Sequence, residues 1–303
     1  MPDWRRRLPH PALVLVVVIW GLNFSVIKVV LGYLEPSVAA LARYLLMLPI
    51  LFGIAALLRV DLKYPKGQRW RYVFAGFVAN GLYMVFFLEG MRTAGAAQGA
   101  IVLATAPVWI GLFAILAGQE RSTPRLVIGG LVAFSGAVIV IVGGGAAIEG
   151  STTGALLVLI SAIVWAWSVI LMRPLVASGS PFGVFTLTFP GGLLALLPYG
   201  IVPLVKTDWS AIPLYGWLAF GYLVLVAGIG GFSMYYKGLA DVGPAKTGVV
   251  QFFIPPTAAL FAWAAFGESL TWVQILGMAV VVAGTMVASA AATSSRSNTS
   301  PSE

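Results

Sequence analysis

The chain has 303 residues, of which 60% are hydrophobic and only 9% are charged, with a formal net charge of +8. A soluble domain cannot keep so much apolar surface away from water, so this composition indicates an integral membrane protein. Cysteine is absent and His10 is the single histidine, which excludes disulfides, thiol catalysis and cysteine metal sites and leaves no residues for a histidine metal centre. We expect no metal and no cofactor.

Apolar runs of the length that a bilayer crossing needs, about 20 residues, recur along the whole chain. The first run follows Arg5, Arg6 and Arg7 as a secretory signal would, but it lacks a small-residue cleavage site and continues beyond Asn23. We interpret it as an uncleaved first span. The predicted spans are residues 12–32, 36–58, 70–91, 95–118, 124–143, 152–173, 182–204, 212–236, 246–267 and 271–291.

The basic residues lie between the apolar runs and not on one amphipathic face, so they indicate topology and argue against a nucleic-acid partner. With the N-terminus in the cytoplasm, all but four of the 18 basic residues lie inside. Arg92 and Lys206 lie in outer connections, and Lys28 and Arg43 lie within spans. This asymmetry predicts an inner (plasma) membrane protein with both termini in the cytoplasm.

The second half of the sequence repeats the first. Aligning residues 90–136 with residues 238–284 without a gap pairs Gly95 with Gly243, Pro107 with Pro255, Glu120 with Glu268 and Thr123 with Thr271. The loop after Glu120 is basic and the loop after Glu268 is not, and five spans per half is an odd number. The fold class that we predict is therefore all-α, with ten transmembrane helices arranged as two inverted five-helix repeats, as in many secondary transporters.

The repeat also defines the expected domains. Residues 1–146 form the first five-helix unit, residues 147–291 form the second, inverted unit, and residues 292–303 form a Ser-rich, disordered cytoplasmic tail. The length leaves no room for a soluble catalytic domain. We therefore expect a protein that is not an enzyme.

These features resemble the drug/metabolite transporter (DMT) superfamily, specifically its EamA-type branch. The resemblance covers nearly the whole chain and rests on the two five-helix halves, on the Trp20-Gly21-x-Asn23-Phe24 turn, and on Pro107 and Glu120 echoed by Pro255 and Glu268. It implies transport of small metabolites, and the branch includes YddG-like exporters of aromatic amino acids and drugs. An amino-acid substrate is an implication of the resemblance alone.

Aromatic and polar side chains near the middle of the spans are the candidate transport pathway. Trp20 and Asn23 share a face of the first helix, as Trp165 and Ser168 do in the sixth, because residues three apart on a helix point the same way. Such side chains either pack and bond neighbouring helices or line a wet cavity that suits a zwitterion. The candidate pathway residues are Trp20, Asn23, Asn80, Tyr83, Gln98, Trp109, Trp165, Ser168 and Gln251.

Proline and glycine mark candidate kinks and hinges. Pro107 and Pro255 lie mid-span, where each removes a helical hydrogen bond and frees a carbonyl that could accept a bond from a substrate ammonium or could only shape packing. Gly228, Gly230 and Gly231 in the eighth span could act as hinges or permit close helix packing.

Two ionisable residues could stand at the outer mouth. Arg43 could reach the membrane surface or attract a carboxylate there. Glu89 is expected to pair with Arg92 and leaves proton coupling open, although no carboxylate or histidine is predicted at the bilayer midplane.

We predict a secondary transporter that exports amino acids with neutral or aromatic side chains by alternating access, without ATP. Its partners are a small-molecule substrate and the lipid bilayer, and the oligomeric state stays open. The alternatives are an efflux carrier for multiple drugs or cationic compounds, a permease for another metabolite, and, in a different class, an intramembrane enzyme. An enzyme would need a deep catalytic pair, which the sequence does not offer.

Overall fold

The computed structural model describes residues 11–118, 124–142, 151–177, 179–238, 253–268 and 270–297, and the regular secondary structure in these ranges is helical throughout. In chain order the helices are α1 (Pro11–Leu31), α2 (Pro36–Leu57), α3 (Arg69–Thr93), α4 (Ala96–Leu116), α5 (Pro124–Val142), α6 (Thr152–Ala177), α7 (Pro181–Lys206), α8 (Leu214–Gly238), α9 (Ile254–Phe266) and α10 (Trp272–Ser297).

Seven of the described helices, α1 to α4 and α6 to α8, are long and apolar enough to cross a membrane. The other three contain shorter apolar stretches, Val127–Ile139, Ile254–Phe266 and Trp272–Gly284. The positions agree with the predicted spans, while the number of crossings stays a prediction. α10 continues to Ser297, into the segment expected to be a disordered tail.

Three of the described helices depart from regular α geometry. α4 is interrupted at Ala104 and Thr105, and its second segment begins at Ala106 with Pro107 in the first turn. α3 contains a π-helical segment over Phe77–Leu82, and α8 contains one over Tyr222–Gly230. The sequence predicts a kink at Pro107, but it gives no sign of the π-helical segments. Such segments are rare and are frequent at functional sites.

The helices pack so that a central group surrounds the middle of the molecule. α1 packs against α8 and α9, and α4 packs against α6 and α9, while α3 packs against α6 and α7. α2 packs against α7, where Tyr44 stacks on Phe189 with ring centroids 4.5 Å apart. α5 and α10 pack against each other. The bundle thus places α1, α3, α4, α6, α8 and α9 next to one another at its centre.

Glycines bring the backbones of α5 and α10 together. A Cβ added at Gly136 would stand 2.6 Å from the Val281 backbone nitrogen and 2.8 Å from the Gly277 carbonyl oxygen. A Cβ added at Gly284 would meet the backbone of Ala133 and the Gly129 carbonyl in the same way. Close backbone approach through small residues is a common way for helices to associate within a membrane.

Adding a methyl group at this contact should destabilise the protein. We expect Gly136→Ala to lower the free energy of unfolding by about 1–3 kcal/mol, since overpacking against backbone forces the helices apart. Thermal unfolding of the purified protein in detergent measures the change.

The matched control is Gly53→Ala in α2, where an added Cβ meets nothing within 4 Å. It should leave the midpoint unchanged or raise it, because alanine favours a helix over glycine by about 1 kcal/mol. Equal midpoints for the two variants would contradict the close α5–α10 contact.

Candidate functional site

A cavity lies at the centre of the bundle, and its wall is formed by α1, α2, α3, α4, α6, α8 and α9. It offers about 80 Å³ to the centres of water molecules, whereas a single water needs about 10–15 Å³ by that measure. The cavity therefore has room for several waters or for part of a small solute. Its wall combines apolar and aromatic surface with a few polar side chains, the usual composition of a small-molecule site.

Six aromatic residues contribute their rings to the cavity wall. Trp20 of α1 packs against Phe232 of α8 with centroids 5.1 Å apart, and Trp165 of α6 packs against Tyr83 of α3 at 5.2 Å. The indole nitrogen Nε1 of Trp20 also donates to the Ala227 carbonyl in the π-helical segment of α8, at 3.3 Å. These contacts hold two indole rings on the wall of one cavity.

Two buried polar atoms that belong to residues of the wall have no hydrogen-bond partner in the described part of the chain. They are Oδ1 of Asn23 and Nε of Arg43, and both residues line the cavity. Buried polar groups in folded proteins are nearly always bonded, so an unbonded pair in a cavity indicates a place for water or for a polar ligand.

Arg43 differs from the sequence-based expectation. It was expected at the outer mouth, with the option of reaching the membrane surface. It is instead 3% exposed and lies in the cavity wall. Ala39 and Met47, one turn before and after it on α2, are each 1% exposed, so this helix face is covered over two turns and the guanidinium cannot reach the surface.

The interruption in α4 lies at the cavity. Leu103, Ala104 and Ala106 line it, and Thr105 Oγ1 donates to the Val102 carbonyl at 2.8 Å. The usual helical donor for the Leu103 carbonyl would be the nitrogen of Pro107, which carries no hydrogen. A carbonyl of the cavity wall therefore lacks its regular intrahelical bond.

Side chains of α1 and of the segment after α9 bond the backbone around the connection between α3 and α4. Lys28, one turn beyond Phe24 of the cavity wall, donates from Nζ to the Ala94 carbonyl at 3.0 Å. The two carboxylate oxygens of Glu268 accept bonds from the backbone nitrogens of Ala96 and Ala97 at 3.3 and 3.4 Å. Carboxylates at a helix N-terminus satisfy free donors and favour the helix dipole. Residues of α1 and of the segment after α9 thus hold the α3–α4 connection.

Several predicted pathway residues lie outside the cavity wall. Asn80 is buried beside α7 and accepts a long hydrogen bond from Tyr44, 3.5 Å. Gln98 accepts a bond from the Gly95 nitrogen at the start of α4, and the hydroxyl of Ser168 donates to the Trp165 carbonyl at 2.7 Å. Gln98 and Ser168 thus bond backbone groups close to them in sequence, whereas Nδ2 of Asn80 is buried without a partner in the described part of the chain.

Trp109, Pro255 and Pro107 lie in three different places. Trp109 contacts Phe134 of α5 with ring centroids 6.1 Å apart and lines a separate apolar groove. Pro255 lines the cavity, whereas Pro107 sits in the first turn of the second α4 segment. Gln251 lies outside the described residues.

The predicted hinge glycines and Glu89 also have defined places. Gly228 and Gly230 lie in the π-helical segment of α8, and Gly231 follows it and faces the indole of Trp20. Glu89 accepts a hydrogen bond from the Tyr199 hydroxyl of α7. It was expected to pair with Arg92, and the Tyr199 contact is the one that the structure shows.

Sequence reasoning missed Phe232, Tyr235 and Met84, which belong to the wall or its aromatic packing. The repeat contained the necessary signal. The spacing that pairs Pro107 with Pro255 also pairs Met84 with Phe232 and Phe87 with Tyr235. Extending the alignment one helix further towards the N-terminus would have indicated them.

Comparisons with known proteins agree on a transporter. The probable terminal-alkyne amino-acid exporter of Streptantibioticus cattleyicolor is 28% identical over 91% of this chain and 91% of its own length. The uncharacterized inner membrane transporter YedA of Escherichia coli (strain K12) is 28% identical over 92% of this chain and 90% of its own. A solved crystal structure that is 18% identical aligns with 95% of this chain and 98% of its own, with a TM-score of 0.65, which shows a shared fold.

The EamA-like transporter family matches residues 9–142 and again residues 152–290. Together with the apolar helices, this match identifies a multi-pass membrane protein whose task is transport. The chain belongs to the EamA-like transporter family.

Proposed function

We propose that this protein is a secondary transporter of the inner membrane that exports amino acids with neutral or aromatic side chains. The observation that carries the proposal is the central cavity, whose wall contains the rings of Trp20, Trp165 and Phe232 together with Asn23 and Arg43, each of which has a buried polar atom without a partner in the described part of the chain. Rings suit an apolar side chain, and the polar atoms suit the charged end of an amino acid. The names of relatives, an amino-acid exporter and an inner membrane transporter, support the same cargo and location.

The architecture that we propose is ten transmembrane helices in two inverted five-helix repeats, residues 1–146 and 147–291, with both termini in the cytoplasm. Three observations support it. The family matches the chain twice, the π-helical segments of α3 and α8 fall at equivalent positions of the two halves, and Gly136 and Gly284 make reciprocal contacts between α5 and α10. Equivalent packing in two inverted halves allows alternating access to one central site.

In this architecture the contacts of Lys28 and Glu268 lie on the outer side of the membrane. α1 runs outward from a cytoplasmic N-terminus and ends at Leu31, three residues after Lys28. Release of cargo to the outside requires the α3–α4 connection to separate from α1 and from the segment after α9. The hydrogen bonds of Lys28 and Glu268 are therefore the outer closure, and they break in each transport cycle.

The cavity rings should be needed for transport. We expect Trp165→Ala and Trp20→Ala to raise the half-saturating concentration of L-phenylalanine by roughly 2- to 10-fold, since an aromatic contact contributes about 0.5–1.5 kcal/mol. Uptake of radiolabelled L-phenylalanine into proteoliposomes that contain unlabelled L-phenylalanine measures this directly, without any energy source.

Trp109→Ala is the matched control, because it removes an equally large ring that lies in the separate groove. It should leave the half-saturating concentration unchanged. The proposed site would be contradicted if Trp109→Ala impaired uptake while Trp20→Ala and Trp165→Ala did not.

Loss of the outer closure should open the cavity to the outside. The chain contains no cysteine, so Ala104→Cys provides a single reporter in the cavity wall. We expect Lys28→Met to raise the rate at which a membrane-impermeant thiol reagent, added outside, modifies this cysteine by several-fold, because the carbonyls of Met91 and Arg92 in the last turn of α3 and of Ala94 in the α3–α4 connection lose their donor.

The control is Lys206→Met, which removes an exposed charge at the same proposed side of the membrane. It should leave the modification rate as it is. An unchanged rate in Lys28→Met would show that these bonds do not hold the cavity shut.

A further inference from the structure

We propose that Arg43 binds the carboxylate of the cargo, so that the transporter accepts zwitterions and monocarboxylates and rejects cations that lack a carboxylate. This inference rests on the proposed transport function and names the chemical group that the same cavity recognises. It assigns a binding role to a residue of α2, the helix that contributes Arg43 to a wall otherwise built by α1, α3, α4, α6, α8 and α9.

The position of Arg43 favours the binding of an anion beside it. Its side chain is 97% buried, since only 3% of its surface is exposed, and it lines the cavity. Its Nε donor has no hydrogen-bond partner in the described part of the chain. A guanidinium stays charged inside proteins and is costly to bury unless a counter-ion or acceptors meet it. A carboxylate bound in the cavity would meet this need with charge-assisted hydrogen bonds.

Among the described residues of the cavity wall, Arg43 has no negatively charged neighbour. The titratable groups that act on it from the surrounding helices are the hydroxyls of Tyr44, its neighbour on α2, and of Tyr83 on α3, and both are neutral near pH 7. No Asp or Glu occurs among the described residues that line the cavity. Glu89, further along α3, is engaged by the Tyr199 hydroxyl. The described cavity wall therefore carries one positive charge and no negative one.

This charge decides between classes of cargo. An organic cation would be repelled by a buried guanidinium that no protein carboxylate offsets, whereas one carboxylate neutralises it and can form two parallel hydrogen bonds with it. The ammonium group of an amino acid finds acceptors in the same wall, in Oδ1 of Asn23 and in the Leu103 carbonyl that Pro107 leaves without its regular donor. The aromatic rings are left to contact the side chain.

The size of the cavity favours a small cargo. Its 80 Å³ is well below the roughly 300–1,000 Å³ typical of sites for drug-sized ligands. A compact α-amino acid matches the charge of the site and needs less enlargement of the cavity than a bulky cationic drug, which also lacks the matching charge.

Three matched probes separate the carboxylate from the rest of the cargo: L-phenylalanine, 3-phenylpropionate, which lacks the ammonium, and phenethylamine, which lacks the carboxylate. The experiment measures how an excess of each unlabelled compound reduces uptake of labelled L-phenylalanine by wild-type proteoliposomes. We expect 3-phenylpropionate to compete and phenethylamine not to. If phenethylamine competes and 3-phenylpropionate does not, the role of Arg43 is contradicted. This comparison uses wild-type protein only, so its result does not depend on whether a variant folds.

The second arm compares Arg43→Gln with Arg125→Gln, which removes an exposed arginine of α5. Arg43→Gln should weaken half-saturation by L-phenylalanine by about 10- to 100-fold, the range for a lost hydrogen bond to a charged group, and should abolish the preference for 3-phenylpropionate over phenethylamine. Arg125→Gln should match the wild type. An Arg43→Gln protein that keeps wild-type affinity and preference would overturn the inference.

The outcomes also distinguish this inference from the proposed function. If wild-type protein transports L-phenylalanine but Arg43→Gln keeps the preference for 3-phenylpropionate over phenethylamine, the proposed function is supported and the role of Arg43 is contradicted. If labelled 3-phenylpropionate is transported in an Arg43-dependent way and no amino acid is, the carboxylate site stands and the amino-acid cargo falls. If labelled phenethylamine is transported and neither carboxylate is, both fall.

Discussion

The structure depends on one constraint, which is that a backbone in hydrocarbon must satisfy its own hydrogen bonds. Helices meet this constraint within each segment, and irregular backbone is tolerated only where protein or water covers it. The interruption of α4 at Ala104 and Thr105 obeys this rule, because it lies at the central cavity. The π-helical segment of α8 does so as well, since its Ala227 carbonyl accepts a bond from Trp20. At these two places the irregular backbone lies in the cavity wall or is bonded by a side chain of a neighbouring helix.

The same constraint separates two kinds of polar residue in the bundle. Ser168, Thr105 and Gln98 bond backbone groups close to them in sequence, so they stabilise helices or their ends. Asn23 and Arg43 have buried atoms without such partners and face the cavity. A membrane protein can build a site for a charged metabolite from very few polar groups, provided that these groups do not form hydrogen bonds with the neighbouring helices.

The sequence predicted the helices well because long apolar runs and proline positions are strong local signals. It also predicted the shared face of Trp20 and Asn23, and the structure places both in the cavity wall with Tyr83 and Trp165. It could not place Trp109, because helical spacing gives a face but not the neighbour that this face meets. The sequence also could not locate Arg43, because the depth of a residue along α2 does not reveal which side of the helix is covered. The π-helical segments change the hydrogen-bond register without changing composition, so periodicity does not detect them.

We propose that the cavity lined by the indole rings of Trp20 and Trp165 holds the cargo. An experimental structure determined at saturating L-phenylalanine tests this most directly. We expect density for the ligand in this cavity, with its carboxylate within hydrogen-bond distance of the Arg43 guanidinium. Ligand density in the groove beside Trp109, or an empty central cavity at saturation, would contradict it.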